Sequence, residues 1–251
     1  KPKSGWFDIH LGELWRYRDL IMLFVKRDFT AVYKQTILGP LWFILQPLFS
    51  TLVFTVIFGR VAQIPTDGVP HALFYLAGIV VWHYFSSSLS KTSDTFYANA
   101  GIFGKVYFPR LCVPISVVIT NLITFAIQFA VFSALLVFYY IKGMAFSLHW
   151  SAVLLPLLIV QMAALGLGTG IIVSSLTTRY RDFVYLISFG VQLWMYASPV
   201  VYPLSQVPGK WRAIYLLNPM ASVIETFKFM FLGVGGVSIG EYGSGLAVKA
   251  I

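Results

Sequence analysis

The sequence predicts an all-α integral membrane protein, and three observations carry that prediction. Of 251 residues, 58% are hydrophobic and only 11% charged, whereas soluble domains carry about a quarter charged residues. Uncharged apolar stretches long enough to cross a bilayer recur between the charges. The lysines and arginines, moreover, sort unevenly between alternate connections. Helix follows because lipid cannot satisfy the backbone groups of an open strand. Disorder is excluded, because the apolar content is far too high.

The first element, 6–34, differs in kind from the rest. Leu14, Trp15, Ile21, Met22, Val25 and Phe29 fall on one half of a helical wheel, and Arg16, Asp19, Lys26 and Arg27 on the other. Arg18 and Asp28 break the apolar half; Leu20 and Leu23 break the polar half. Such a helix is expected to lie in the membrane interface, each base gaining about 1 kcal/mol from anionic lipid. It can also face a soluble partner. The candidate lipid-head residues are Arg16, Arg18, Lys26, Arg27 and Lys34.

Five apolar stretches follow. The first, 37–58, lies between Lys34 and Arg60, and the second, 72–89, between His71 and Lys91. Arg110 and Lys142 bound a third, 111–141, long enough that it must tilt or project beyond the hydrocarbon. The fourth is 149–178 and the fifth 183–202. Up to Lys228, the basic residues on alternate sides of these spans divide twelve against five, with Lys1 to Lys34, Lys91, Lys105, Arg110, Arg179 and Arg181 on the richer side. That asymmetry predicts a cytoplasmic N-terminus.

Beyond the fifth span the pattern changes. Pro208-Gly209 marks a turn, and the stretch from Arg212 to Lys228 is too short to cross. Asn218-Pro219 inside it is a helix-start signature, an N-cap followed by proline at the first helical position. The reading is a re-entrant external hairpin over 210–232, with two short helices; a helix lying on the outer surface is the alternative. After the glycines of 233–240, residues 240–251 read as the opening of a sixth, incomplete span, and the natural chain is expected to continue past Ile251.

Catalytic equipment is not apparent. Cys112 is the only cysteine, which excludes internal disulfides and multi-cysteine zinc sites. Gly235 and Gly240 have the spacing of a phosphate-binding loop, but Glu241 follows where lysine is needed. The histidines His10, His71, His83 and His149 are too dispersed for a metal site, and His83 is expected to make a packing hydrogen bond. No acids cluster within a span, so ion-coupled transport has no obvious carrier. The bases are scattered between apolar segments, which points to topology and lipid contact rather than nucleic acid.

The spans carry ring-and-amide faces instead. Trp42, Gln46 and Phe49 follow helical spacing in the first span, and Tyr185, Phe189, Gln192 and Tyr196 in the fifth. Asn121, Thr124 and Gln128 do so in the third. Amides in hydrocarbon require a partner or a wet cavity. A carbohydrate suits such walls, its C–H faces lying on rings while amides take its hydroxyls; interhelical packing and interfacial aromatic belts are the alternative. Gly166-x-x-x-Gly170 reads as a helix-contact device.

Several segments resemble one family. Arg27-Asp28, Tyr33-Lys34-Gln35-Thr36, Leu38-Gly39-Pro40-Leu41-Trp42 and Gln46-Pro47 resemble the lead-in to the first span of ABC-2 type permeases, in the branch handling O-antigen, teichoic acid and capsule. Lys105 to Arg110 with Pro114 and Ser116, Arg181-Asp182-Phe183, and Asn218-Pro219-Met220 resemble further markers in the same order. The resemblance implies the six-span ABC-2 (type V exporter) permease fold, with the N-terminal interface helix and external hairpin. It also implies a homodimer of permeases in the bacterial inner membrane, resting on two separate ABC ATPase subunits that hold ATP and magnesium, so that this chain binds no cofactor itself.

By the same resemblance, residues 92–104 are a coupling helix receiving the ATPase stroke, with Ser93, Asp94, Tyr97 and Asn99 available for contacts. The implied cargo is a lipid-linked polysaccharide drawn from the cytoplasmic leaflet by the N-terminal bases and guided by the rings and amides of the first and fifth spans. Asn218, Pro219 and Met220 would seal the exit. An exporter of a small lipid or drug belongs to the same superfamily, and an enzyme acting on lipid-linked sugars is a reading from another class.

Overall fold

The computed structural model describes residues 11–34, 38–144, 149–180, 182–208, 211, 215 and 217–234. All regular structure among them is helical. Helices α1 (Leu11–Arg16) and α2 (Arg18–Lys34) are followed by α3 (Trp42–Phe54), α4 (His71–Ala98), the single turn α5 (Ala100–Phe103) and α6 (Cys112–Ile141). Then come α7 (Leu155–Arg179), α8 (Phe183–Tyr196) and α9 (Pro219–Leu232). A tight turn at Gly39–Leu41 and a widened one at Thr55–Val61 extend α3 to a continuous span, and Trp150–Leu154 extends α7. Among the described residues, four helical stretches are long and apolar enough to cross a membrane: Gly39–Val61, His71–Ala98, Cys112–Ile141 and Trp150–Arg179.

The axis of the bundle is α4. Its apolar window is 78% buried, against 11%, 22% and 17% for the other three spans, so they, α8 and α9 are arranged around it. Close packing against α7 depends on the two predicted glycines. A Cβ on Gly166 would stand 2.9 Å from Ser88 Cβ, and one on Gly170 2.6 Å from Thr92 Cβ. Gly170→Leu is therefore expected to lower the melting temperature in detergent, by the roughly 1–3 kcal/mol typical of overpacking. Gly168, two residues away with open space around it, should accept leucine with the melting temperature unchanged.

The α4–α6 contact is polar. Lys91 Nζ donates to Asn121 Oδ1 (3.0 Å), Asn121 Nδ2 to Ser88 Oγ (3.3 Å), and Gln128 Nε2 to His83 Nδ1 (3.2 Å). Asn121, Thr124 and Gln128 are buried in this seam. The third ring-and-amide face is thus interhelical packing, the alternative that its sequence pattern leaves open, and His83 makes the packing hydrogen bond expected of it.

Two stretches differ from the sequence reading. The second span continues unbroken from His71 to Ala98, so 92–104 is not a separate helix; it comprises the last two turns of α4, a break at Asn99 and the turn α5. No proline or glycine interrupts α4 near Lys91, and Lys91 itself is tied to α6, so its charge does not end the span. The fifth stretch is helical only to Tyr196, 14 residues or about 21 Å, short of the hydrocarbon thickness, and the chain turns at Ala197–Val200. In the hairpin the second arm is α9, while most of 210–217 lies outside the described residues, as do 6–10, 35–37, Arg181 and 240–251.

At one end of the bundle α2 packs on the start of α6. Leu14, Ile21, Phe24 and Val25 are buried with Phe108, Cys112 and Val113 in a separate apolar cluster. Trp15 and Met22, expected on that face, are 71% and 57% exposed. The face in contact with α6 is rotated from the apolar half-wheel, taking in Phe24 and leaving out Trp15 and Met22. At the opposite end α9 packs its Phe227 and Phe231 on Phe129 and Phe132 of α6. Gly233, at φ +68°, ends α9 in a left-handed cap.

Candidate functional site

Helices α3 and α8 are built alike. On α3, Pro47, Thr51 and Phe54 turn inward, and Phe54 meets Tyr75 of α4 edge-on at 6.1 Å. On α8, Ile187, Val191 and Trp194 turn inward, with the Trp194 ring 6.1 Å from Trp82 and 5.2 Å from Phe85. Because both inner rows repeat every three to four residues, the opposite rows face away. Those outer rows are the predicted ones: Trp42, Gln46 and Phe49 on α3, and Tyr185, Phe189, Gln192 and Tyr196 on α8, all exposed. Phe49, Phe189 and Tyr185 are 58%, 62% and 78% exposed. The chain thus presents rings and amides on two helices that lean on the same central one.

The N-terminal end of the bundle carries the predicted coupling and lipid-head residues. Ser93 is buried and donates to Ser90 O, and its own carbonyl accepts from Thr177 Oγ1 (2.5 Å) of α7, so it is a packing residue. Asp94 is half-buried, Tyr97 is exposed, and Asn99 stands at the helix break. Asp94 and Tyr97 border a cleft of about 470 Å³ together with Thr177, Asp182, Val184 and Tyr185. Tyr185, the first ring of the α8 row, therefore shares the cleft with two of the four coupling candidates.

Arg16, Arg18, Lys26, Arg27 and Lys34 are all exposed. Lys26, Arg27 and Lys34 border a groove of about 450 Å³ along α2. Arg18 lies over the Trp15 ring at 5.3 Å. Arg27 bonds Asp28 at 2.8 Å and reaches Asn99 Oδ1 at 3.4 Å, which ties α2 to the break after α4.

At the far end Asn218 joins α8 to α9 with its whole amide. Its Oδ1 accepts from Trp194 Nε1 (3.0 Å) and from Met220 N (3.0 Å), and its Nδ2 donates to Ala197 O (3.2 Å) and Ser198 Oγ (2.9 Å). Pro219 opens the helix and Met220 is fully buried. One residue here escapes the sequence reading. Lys228, which counts there as a connection charge, is 1% exposed; its Nζ donates to Pro199 O at 2.5 Å and stands 3.4 Å from the centre of the Phe74 ring. Glu225, one turn earlier on α9, is equally buried. The available signal is an i, i+3 Glu–Lys pair within an otherwise apolar helix.

Among the described residues, no group of three or more histidine, cysteine or acidic side chains is placed to hold a metal ion. What the geometry offers is surface, an open ring-and-amide face and an acidic cleft at one end, with a buried-charge junction at the other.

Residues 19–232 match the family model described as ABC-2 type transporter. The chain belongs to the ABC-2 type transporter family. Its relatives include an O-antigen export system permease protein RfbA of Klebsiella pneumoniae, 32% identical over 85% of this chain and 80% of that protein. RfbA of Myxococcus xanthus is 30% identical over 87% of this chain and 82% of its own length. The polysialic acid transport protein KpsM of Escherichia coli is 25% identical over 79% and 76%. An ABC-2 chain is the permease part of a transporter, and the four apolar helices make this one a multi-pass membrane protein.

Proposed function

We propose that this ABC-2 permease exports a lipid-linked, O-antigen-like polysaccharide across the bacterial inner membrane, its N-terminus in the cytoplasm. It works as a homodimer driven by two separate ABC ATPase subunits. The observation that carries this reading is the exposed ring-and-amide face of α3 and α8, in a chain whose relatives are named as polysaccharide export permeases. Turned toward a second copy, the two faces form a wall on which sugar rings stack and slide, many weak contacts replacing one tight one. The ATPases dock at the end bearing Asp94, Tyr97 and Asn99. The bases of α2 gather the anionic lipid head, and Asn218, Pro219 and Met220 hold the exit hairpin.

Reconstitution with the ATPase partner tests it. Labelled lipid-linked glycan should cross the vesicle membrane only with partner and ATP together. The double variant Trp42→Ala/Tyr196→Ala should slow export about tenfold, two ring contacts being worth about 0.5–1.5 kcal/mol each, with ATPase co-purification unchanged. Undiminished export would remove the aromatic wall from the mechanism. Transport of the lipid carrier but not of its glycan would replace the cargo.

A further inference from the structure

The lead-in to α6 is used by neither the ring-and-amide face nor the acidic cleft, yet it is firmly built. From behind, Phe108 is buried with its ring 5.7 Å from Phe24 of α2 and 5.5 Å from Phe103 of α5. In front, the loop presents Lys105, Tyr107 and Arg110, all exposed, Tyr107 to 96%. Lys105 and Arg110 border one cleft of about 380 Å³. Arg110 also borders a second, of about 500 Å³, whose far wall on α7 includes Ser174, Ser175 and Thr178. No carboxylate among the described residues lines either cleft, and neither base has an ion-pair partner among them.

Three further features point the same way. Ser174 Oγ is fully buried without a hydrogen-bond partner, the kind of orphan group that a ligand or a water satisfies. Ser175 and Thr178 spend their hydroxyl protons on Ile172 O and Ser174 O, so donors are left to the two bases and Ser174. The site also lies at the positive end of a 30-residue helix, α6, whose N-cap Leu111 offers no side-chain acceptor. Arg110 precedes α6 by two residues, about 3 Å of helix rise, and a base and a free tyrosine at the end of a span mark headgroup depth.

We propose that Lys105 and Arg110 form a binding site for the phosphate of an anionic lipid headgroup at this end of the bundle. The planar fork of Arg110 takes two phosphate oxygens while Lys105 supplies a point charge. Tyr107 stands in the interface beside them, and Ser174 completes the inner wall. Because Phe103 and Phe108 lock the loop to α5 and α2, a bound phosphate braces the junction between the interface helix and the segment that follows α4. The site requires only a membrane, so it stands whatever the cargo is. The phosphate of a bilayer phospholipid and the pyrophosphate of a lipid-linked glycan present the same chemistry, and the test separates them.

The full chain, purified in neutral detergent, is titrated with phosphatidylglycerol, phosphatidylcholine and farnesyl pyrophosphate, and occupancy is read by native mass spectrometry. At least one anionic lipid should bind more tightly than phosphatidylcholine. Lys105→Gln/Arg110→Gln should weaken it about tenfold or more, the scale of a charged hydrogen bond, while Lys142→Gln, a base at the opposite end, should not. A loss confined to phosphatidylglycerol assigns the site to the bilayer, a loss confined to farnesyl pyrophosphate assigns it to the carrier, and loss of both assigns it to either. Unchanged phosphatidylcholine binding and melting temperature show that the variant is folded, as the exposure of both side chains predicts. Wild-type affinity for both anionic lipids in the double variant, or an equal loss in Lys142→Gln, overturns the proposal.

Discussion

Lys228→Met is expected to destabilise the permease by about 3–5 kcal/mol, the cost of removing one partner from a buried charged pair. Lys228 is a hub. It lies within α9, donates to Pro199 in the turn after α8, and covers the Phe74 ring at the start of α4. Glu225 and Asp67 act on it electrostatically, and Asp67 also accepts from Ser205 Oγ (3.1 Å), which draws in the loop after α3. Methionine fills the same volume and cannot answer any of these groups. Converting both members, Glu225→Gln with Lys228→Met, should recover much of the loss, because two neutral side chains remove the desolvation cost together. Thermal unfolding in detergent of the wild type, both single variants and the double variant measures the coupling. Additive losses would show that the two residues do not act as a pair. On the proposed reading of an exit hairpin, α9 and the turn at Ala197–Val200 act as one unit, joined through Lys228 and Asn218.

Much of this architecture is legible in the amino-acid sequence because the bilayer imposes simple rules. Apolar runs between charges locate four spans, three of them within a few residues and the second nine residues short at its end, and Asn218-Pro219 locates the start of α9. Rows spaced at three and four residues pick out the faces of α3 and α8 that α4 leaves uncovered. Legibility fails where two helices negotiate a shared surface. Nothing in the spacing of Asn121, Thr124 and Gln128 distinguishes a cavity wall from a seam; the partners Ser88, Lys91 and His83 sit some thirty to forty-five positions earlier, and only the packing of α4 on α6 pairs them. Ser93 is misread for the same reason, because Gly170 lets α7 approach α4 closely enough to bury it. Charges read as boundaries also mislead when a helix carries them. Lys91 and Lys228 count in the sequence as charges of the connections, yet each bonds an acceptor in a distant segment from within a helix.

Reversing the charges at Asp94 and Asp182 is expected to abolish ATP-driven export while leaving the permease folded. Asp94 is half-buried and Asp182 exposed, and both border the cleft shared with Tyr97 and Tyr185. On the proposed reading the ATPase docks here, and two carboxylates select a cationic surface on it. Asp94→Lys/Asp182→Lys sets like charges face to face, at a cost of several kcal/mol, which is a hundredfold or more in affinity. The amide variant, Asp94→Asn/Asp182→Asn, removes the attraction without adding repulsion and should fall between the two. Co-purification with the ATPase and export in vesicles measure both variants, and added salt should weaken the wild-type assembly less than the reversal does, because part of the contact is shielded from solvent. Full assembly of the lysine variant with full export would move the docking surface away from this cleft, toward α5 and Asn99. Full assembly without export would instead place the defect after docking. That second outcome has a structural route on the proposed reading: Tyr185 borders the same cleft and begins the ring row of α8, so a push delivered beside Asp94 and Tyr97 reaches that row through α8, whose far end is held by the Trp194–Asn218 bond.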